Sequence, residues 1–169
     1  MRVSTRFSDS IHLLAYLKIY ADTKLTSDAI AASIETSPVV VRRLMSKLRK
    51  AGLITTTPGT AQPALAKPLT DISLLSVFYA VEGDKPLFAV DPKTNPACIV
   101  GGNIQTVLKQ YYQDAQMAAE ARLARTSLQD IVDNILVEQA KKEARQNWAL
   151  AIILAILNPN SKHAKDASA

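Results

Sequence analysis

The chain has 169 residues, 48% of them hydrophobic and 21% charged, which supports one or two small globular domains with a modest core. Its single cysteine excludes an intrachain disulfide framework, and a reducing, cytoplasmic compartment is the expectation. The opening MRVSTRFSDS lacks the long apolar stretch of a signal peptide.

The formal net charge of +5 is concentrated at the amino-terminal end, where residues 1–52 hold nine Lys/Arg against four Asp/Glu. A local positive field draws polyanions and speeds encounter with them. It fits a basic solubilising surface equally well, so the face that carries the charge matters more than its sum.

In chain order, FSDSIHLLAYLKIYAD predicts a first helix over about 8–21, capped by Ser8 or Ser10, with an apolar face wide enough for burial on more than one side. His12 lies in this helix and reads as structural. Thr26 or Ser27 then caps a short helix over 28–33. After a break at Glu35–Ser37, Ser37 caps a longer helix with Pro38 in its first turn, where a missing N–H costs nothing. Gly52 ends that helix as its C′ residue. A short helix, a tight turn and a longer helix form the helix-turn-helix pattern.

At 100° per residue, Val41, Leu44, Met45 and Leu48 of the longer helix share one side, while Val39, Arg43, Ser46 and Lys50 fall opposite and Arg42 and Lys47 flank them. The basic face is therefore the exposed one. The first turns of a recognition helix meet base edges, so Ser37, Val39, Val40 and Arg43 are the candidate base-reading residues. Arg43 has the planar fork that matches guanine O6/N7, and a valine can touch a thymine methyl. Arg42, Ser46, Lys47, Arg49 and Lys50 are candidates for phosphate, together with Arg2 and Arg6 ahead of the first helix. The competing reading is a solvated charged face on an ordinary bundle helix.

Residues 53–57 are β-prone, PGTAQP holds turn formers, and 63–65 can return as a second strand. This is the wing of a winged helix, with Thr56, Thr57, Gly59 and Thr60 as its contact candidates. A helix over 73–81 follows, with Leu74, Val77, Phe78 and Val81 inward. The Gly/Pro-rich EGDKPLFAVDPKTNPACIVGG is a linker containing a short strand candidate at 87–90. A long helix spans about 103–125, and Thr126 with Gln129 forms a capping-box candidate for the last one. WALAIILAIL, 148–157, is ten residues long against the roughly 20 a spanning helix needs. It reads as a buried helix end or a subunit contact, with an interfacial membrane contact as the other reading.

Taken together, RFSDSIHLLAYL, DAIAASIETSPVVVRRLMSKLRKAGLI and DISLLSVFYAVEG resemble the Rrf-type bacterial repressors, the winged-helix family that includes the iron–sulfur cluster regulator. NPACIVGGNIQTVLKQYYQDAQMAAEARLARTSLQDI is similar to the cluster-less, YwnA-like subgroup. The resemblance implies a mostly α fold with a small β wing, and a homodimer on palindromic double-stranded DNA. The reading domain would span 1–83, the linker 84–102, the helical dimerisation region 103–158 and a disordered tail 159–169. A dimeric repressor of this kind acts by occupancy, and Cys98, between the two halves, motivates the expectation of a small-molecule or redox effector that shifts its affinity.

Two departures from the family stand out. The wing is poor in glycine, with Gly59 alone in PGTAQPALA, and the three cysteines of cluster-binding members are reduced to Cys98. No iron–sulfur cluster, other cofactor or metal site is therefore expected. Cys98 reads first as a small buried hydrophobe and, if exposed and acidic, as a redox sensor. No catalytic motif is present, so an enzyme is not expected. The alternatives are a non-catalytic protein-interaction module and a non-specific DNA-binding protein that has lost operator reading.

Overall fold

The computed structural model describes residues 4–56 and 62–157, with the backbone alone for 149–157. The candidates Arg2, Thr57, Gly59 and Thr60 and the 159–169 tail lie outside the described residues. Among the latter are six α-helices and one two-stranded sheet: α1 (Arg6–Ile19), α2 (Ser27–Ile34), α3 (Pro38–Lys50), β1 (Ile54–Thr56), β2 (Pro63–Leu65), α4 (Leu74–Glu82), α5 (Ile104–Ala124) and α6 (Leu128–Leu157). The fold is thus mostly α with a small β-hairpin wing and long C-terminal helices. The chain divides into two compact units, Met1–Val132 and Asp133–Ala169.

Local chemistry accounts for the helix-turn-helix. Thr26 Oγ1 accepts the Ala29 N–H at 3.1 Å and opens α2. Glu35 closes α2 in the left-handed region at φ 59°, a conformation uncommon outside glycine. Ser37 Oγ accepts the Val40 N–H and opens α3, with Pro38 in the first turn. At the far end Gly52 takes φ 68°, Gly52 N–H donates to Arg49 O and Leu53 N–H to Leu48 O. That is a Schellman stop, and it delivers Leu53 into the core immediately before β1.

β1 pairs antiparallel with β2 in the register Ile54↔Leu65, Thr55↔Ala64, Thr56↔Pro63. The core gathers Leu13, Leu14 and Leu17 of α1, Ile30 of α2, Val41, Leu44 and Leu48 of α3, and Val77 and Val81 of α4. Phe7 meets Phe78 edge-on, with ring centroids 5.4 Å apart. Leu74 N–H donates to Thr126 O and Leu128 N–H to Ile72 O. The entry to α4 is thereby stitched to the entry to α6, and Leu128 and Val132 are buried in the same core.

Several expectations shift. The first helix begins at Arg6, with Thr5 as its cap residue. Ser8 is already helical and donates to Thr5 O, while Ser10 is fully buried. The 87–90 segment does not form a strand. Leu87 N–H is instead taken by Gln116 Oε1 at 2.9 Å. The capping box of α6 is one residue on from the expected pair: Asp130 N–H donates to Ser127 Oγ, and Ser127 N–H to Asp130 Oδ2 at 2.8 Å. Cys98 is exposed rather than buried.

The Ser10 hydroxyl is enclosed with no hydrogen-bond partner among the described residues. An unsatisfied buried hydroxyl costs stability, and alanine is the better helix former. Ser10→Ala is expected to raise unfolding stability in urea by about 1 kcal/mol. A loss of stability would mean that the hydroxyl is satisfied after all.

A basic recognition helix beside the wing

α3 carries Arg42, Arg43, Lys47, Arg49 and Lys50 and no acidic residue. Val41, Leu44 and Leu48 anchor it in the core, so its opposite side faces outward. Arg42, Arg43, Arg49 and Lys50 are exposed, and Val39 is 49% exposed in the first turn. Basic residues in the last turn also suit the negative end of the helix dipole.

Not every candidate is equally available. Val40 is half-buried and packs against the core, and the Ser37 hydroxyl caps the helix. Lys47 Nζ donates to the Val81 carbonyl at the end of α4, where a cation complements the helix dipole. Arg6 lies 3.8 Å from Glu82 at the same end of α4, and the Glu82 carboxylate also accepts from the Ser4 hydroxyl. Arg6 and Lys47 therefore both lean on α4, and Lys47 helps fix α3 against it.

Between α3 and β1 runs a notch of about 220 Å³, lined by Arg42, Ser46, Arg49 and Thr56 at the rim and by Met45 and Ile54. The sequence assigned Met45 simply to the buried side. Its position at the edge of the apolar arc, next to Ser46 and Arg49, was the signal that it borders the groove. His12, exposed on α1, is 2.8 Å from Ser33 Oγ through Nε2, which ties α1 to α2.

Cys98 sits in the turn before α5. Backbone N–H groups of Gly101 and Val100 point at its sulfur and hold the thiol below its ordinary value of 9.0. The turn is tight: a Cβ at Gly101 would collide with the Asn95 carbonyl. Alkylation of Cys98 by iodoacetamide is expected to reach half its plateau rate at lower pH than an ordinary thiol does. A midpoint at or above the ordinary value would mean these N–H contacts are not kept in solution.

A family profile described as Rrf2, iron-dependent transcriptional regulator, matches residues 3–134. The chain is 40% identical over 133 residues to the HTH-type transcriptional regulator YwnA of Bacillus subtilis, covering 79% of this chain and 98% of that protein. Among solved structures it is similar to a DNA-binding protein at 40% identity and TM-score 0.60, covering 75% of this chain and 97% of the other. The fold likewise matches CymR, the global cysteine regulator of B. subtilis, at 19% identity and TM-score 0.60, covering 79% and 98%.

The iron named in the family description does not suit the residues present. Cys98 is the sole cysteine of the chain, and among the described residues no three His, Cys, Asp or Glu side chains come together as a metal site. No helix among them is long and apolar enough to cross a membrane. The exposed basic helix, the adjoining wing and the match over residues 3–134 lead to one conclusion: the chain belongs to the Rrf2 family of winged-helix, DNA-binding transcriptional regulators.

Proposed function

We propose that the protein is a homodimeric repressor that reads a palindromic operator through α3 and works without an iron–sulfur cluster. The observation that carries this reading is the division of α3: Val41, Leu44 and Leu48 are buried, while Val39 and Arg43 stand exposed on the opposite side. Arg43 and Val39 are the main base-reading residues, with Ser37 and Val40 bordering them. Arg42, Ser46, Arg49 and Lys50 neutralise phosphates along the notch, with Thr56 beside them. Arg6 and Lys47 add to the same field from the edge near α4. Outside the described residues, Thr57, Gly59 and Thr60 of the wing would approach the minor groove or backbone, and Arg2 the phosphate backbone.

Dimerisation is supported by α5, which has no buried residue along its 21 positions and leaves Val107, Tyr111 and Met117 exposed. Such a helix gains stability when a second copy covers it. In this reading 1–83 is the reading head, 84–102 the linker and 103–158 the part that spaces two heads about 34 Å apart. Cys98, exposed between head and α5 with an acidified thiol, serves as the redox effector point. A Cys98→Ser variant that still released DNA on oxidation would remove that role.

The test is selection of bound duplexes from random or genomic DNA at about 0.15 M salt, a physiological ionic strength. Recovery of one palindromic motif supports operator reading. Binding that is salt-sensitive and indifferent to sequence means that the chain holds DNA without reading it.

A further inference from the structure

A second cavity lies between the linker and α5. Pro86, Phe88 and Val90 form one wall, with Lys109, Tyr112 and Gln116 facing them, around about 330 Å³. That is the lower end of the roughly 300–1,000 Å³ that small-molecule sites occupy. The Phe88 and Tyr112 rings meet at 5.4 Å between centroids, tilted by 40°, yet Phe88 remains 46% exposed. A half-wet aromatic pair offers a flat apolar surface with more to gain from being covered.

The wall is already built. Gln116 accepts the Leu87 N–H through Oε1 and donates through Nε2 to Glu120. The Gln116 amide, and after it the Tyr79 hydroxyl of α4, hold that carboxyl below the usual carboxylate range. Both ends of the Gln116 amide are thus engaged and its position is set, which lowers the ordering cost of a ligand beside it. Lys109 supplies the charge: it lines the cavity, no Asp or Glu does, and it forms no ion pair among the described residues. An apolar groove with one uncompensated cation selects an apolar body carrying an anion.

At 100° per residue, Lys109, Tyr112 and Gln116 lie on the side of α5 opposite Val107, Tyr111 and Ala118. Filling the groove therefore leaves the other face of α5 free to pair.

We propose that this groove binds a small planar aromatic carboxylate, its ring against Phe88 and Tyr112 and its carboxylate on Lys109 Nζ. The site goes beyond operator reading, and its test contains no DNA, so the two readings fail separately.

The full-length chain is titrated by calorimetry with 2-naphthoate and, separately, with neutral 2-naphthamide. The expected result is saturable binding of one naphthoate per chain. Lys109→Met weakens naphthoate about fivefold, the effect of one solvent-facing ion pair, and leaves naphthamide unchanged. Phe88→Ala abolishes saturable binding of both, with the unfolding midpoint preserved because Phe88 is not part of the core cluster. The proposal is overturned by absence of saturable naphthoate binding, by equal naphthoate affinity in Lys109→Met and the parent, or by binding indifferent to Phe88→Ala.

Discussion

Arg43→Ala is expected to weaken operator binding by about 1–3 kcal/mol and to relax selectivity at one base position in each half-site. Arg43 is exposed on α3, and the core-facing residues Val41, Leu44 and Leu48 lie on the other side of the helix. Alanine preserves helicity, so the fold should be untouched. Arg49→Ala is the matching control. Arg49 borders the notch beside β1, where a phosphate contact would lower affinity for all sequences alike and reduce the salt slope by about one. Fluorescence anisotropy with the selected duplex and its single-base variants, over a salt series, separates the two patterns. An Arg43→Ala protein that keeps the parent's ratio of specific to non-specific affinity would show that the bases are read elsewhere.

Leu128→Ala is expected to cost about 2–5 kcal/mol of unfolding free energy, the range for truncating a fully buried leucine. Leu128 is 0% exposed in a cluster that includes Val77 and Val81 of α4. Its N–H is bonded to Ile72 O at 2.8 Å. The substitution therefore opens a cavity where α6 enters the core of the first unit. Urea unfolding monitored by circular dichroism measures the loss; a cost below about 0.5 kcal/mol, the scale of a surface substitution, would mean that the first turn of α6 is not seated there.

The same turn carries a pH signature. The Ser127 hydroxyl and N–H hold the Asp130 carboxyl below its ordinary value of 3.8. A depressed folded-state pKa contributes stability that is present above the unfolded value and lost as pH falls through the folded one. The start of α6 should thus loosen only in acid, below the ordinary carboxylate value.

The parts legible in the sequence are those settled within a few residues. Thr26, Ser37 with Pro38, and Gly52 mark the ends of α2 and α3 through bonds spanning three to five positions. The apolar arc of α3 gave its exposed face by periodicity alone, and the short β1–β2 pairing followed from β-prone residues around a turn. Errors arose where two adjacent residues were chemically equivalent. Thr126–Gln129 and Ser127–Asp130 are both sound capping pairs, but the Thr126 hydroxyl turns back to Arg122, donating to its carbonyl and accepting from its guanidinium, and the Ser127–Asp130 pair forms the box. Ser8 and Ser10 likewise resemble caps, until packing carries the helix back to Arg6.

By itself the sequence determined the helix-turn-helix, the basic face of α3, the wing and the lack of a cysteine set for a cluster. Each depends on residue type and local spacing. Tertiary structure alone decided which cations are free, because the partners of Lys47 and Arg6 lie on α4, 34 and 76 positions further along. It also decided that Cys98 is exposed, that Leu87 N–H bonds to a side chain instead of a strand, and that Leu128 belongs to the core. The reason is common to all of them. Burial and hydrogen bonding between distant segments are set by which surfaces meet, and a periodicity of 3.6 or 2 residues does not encode that.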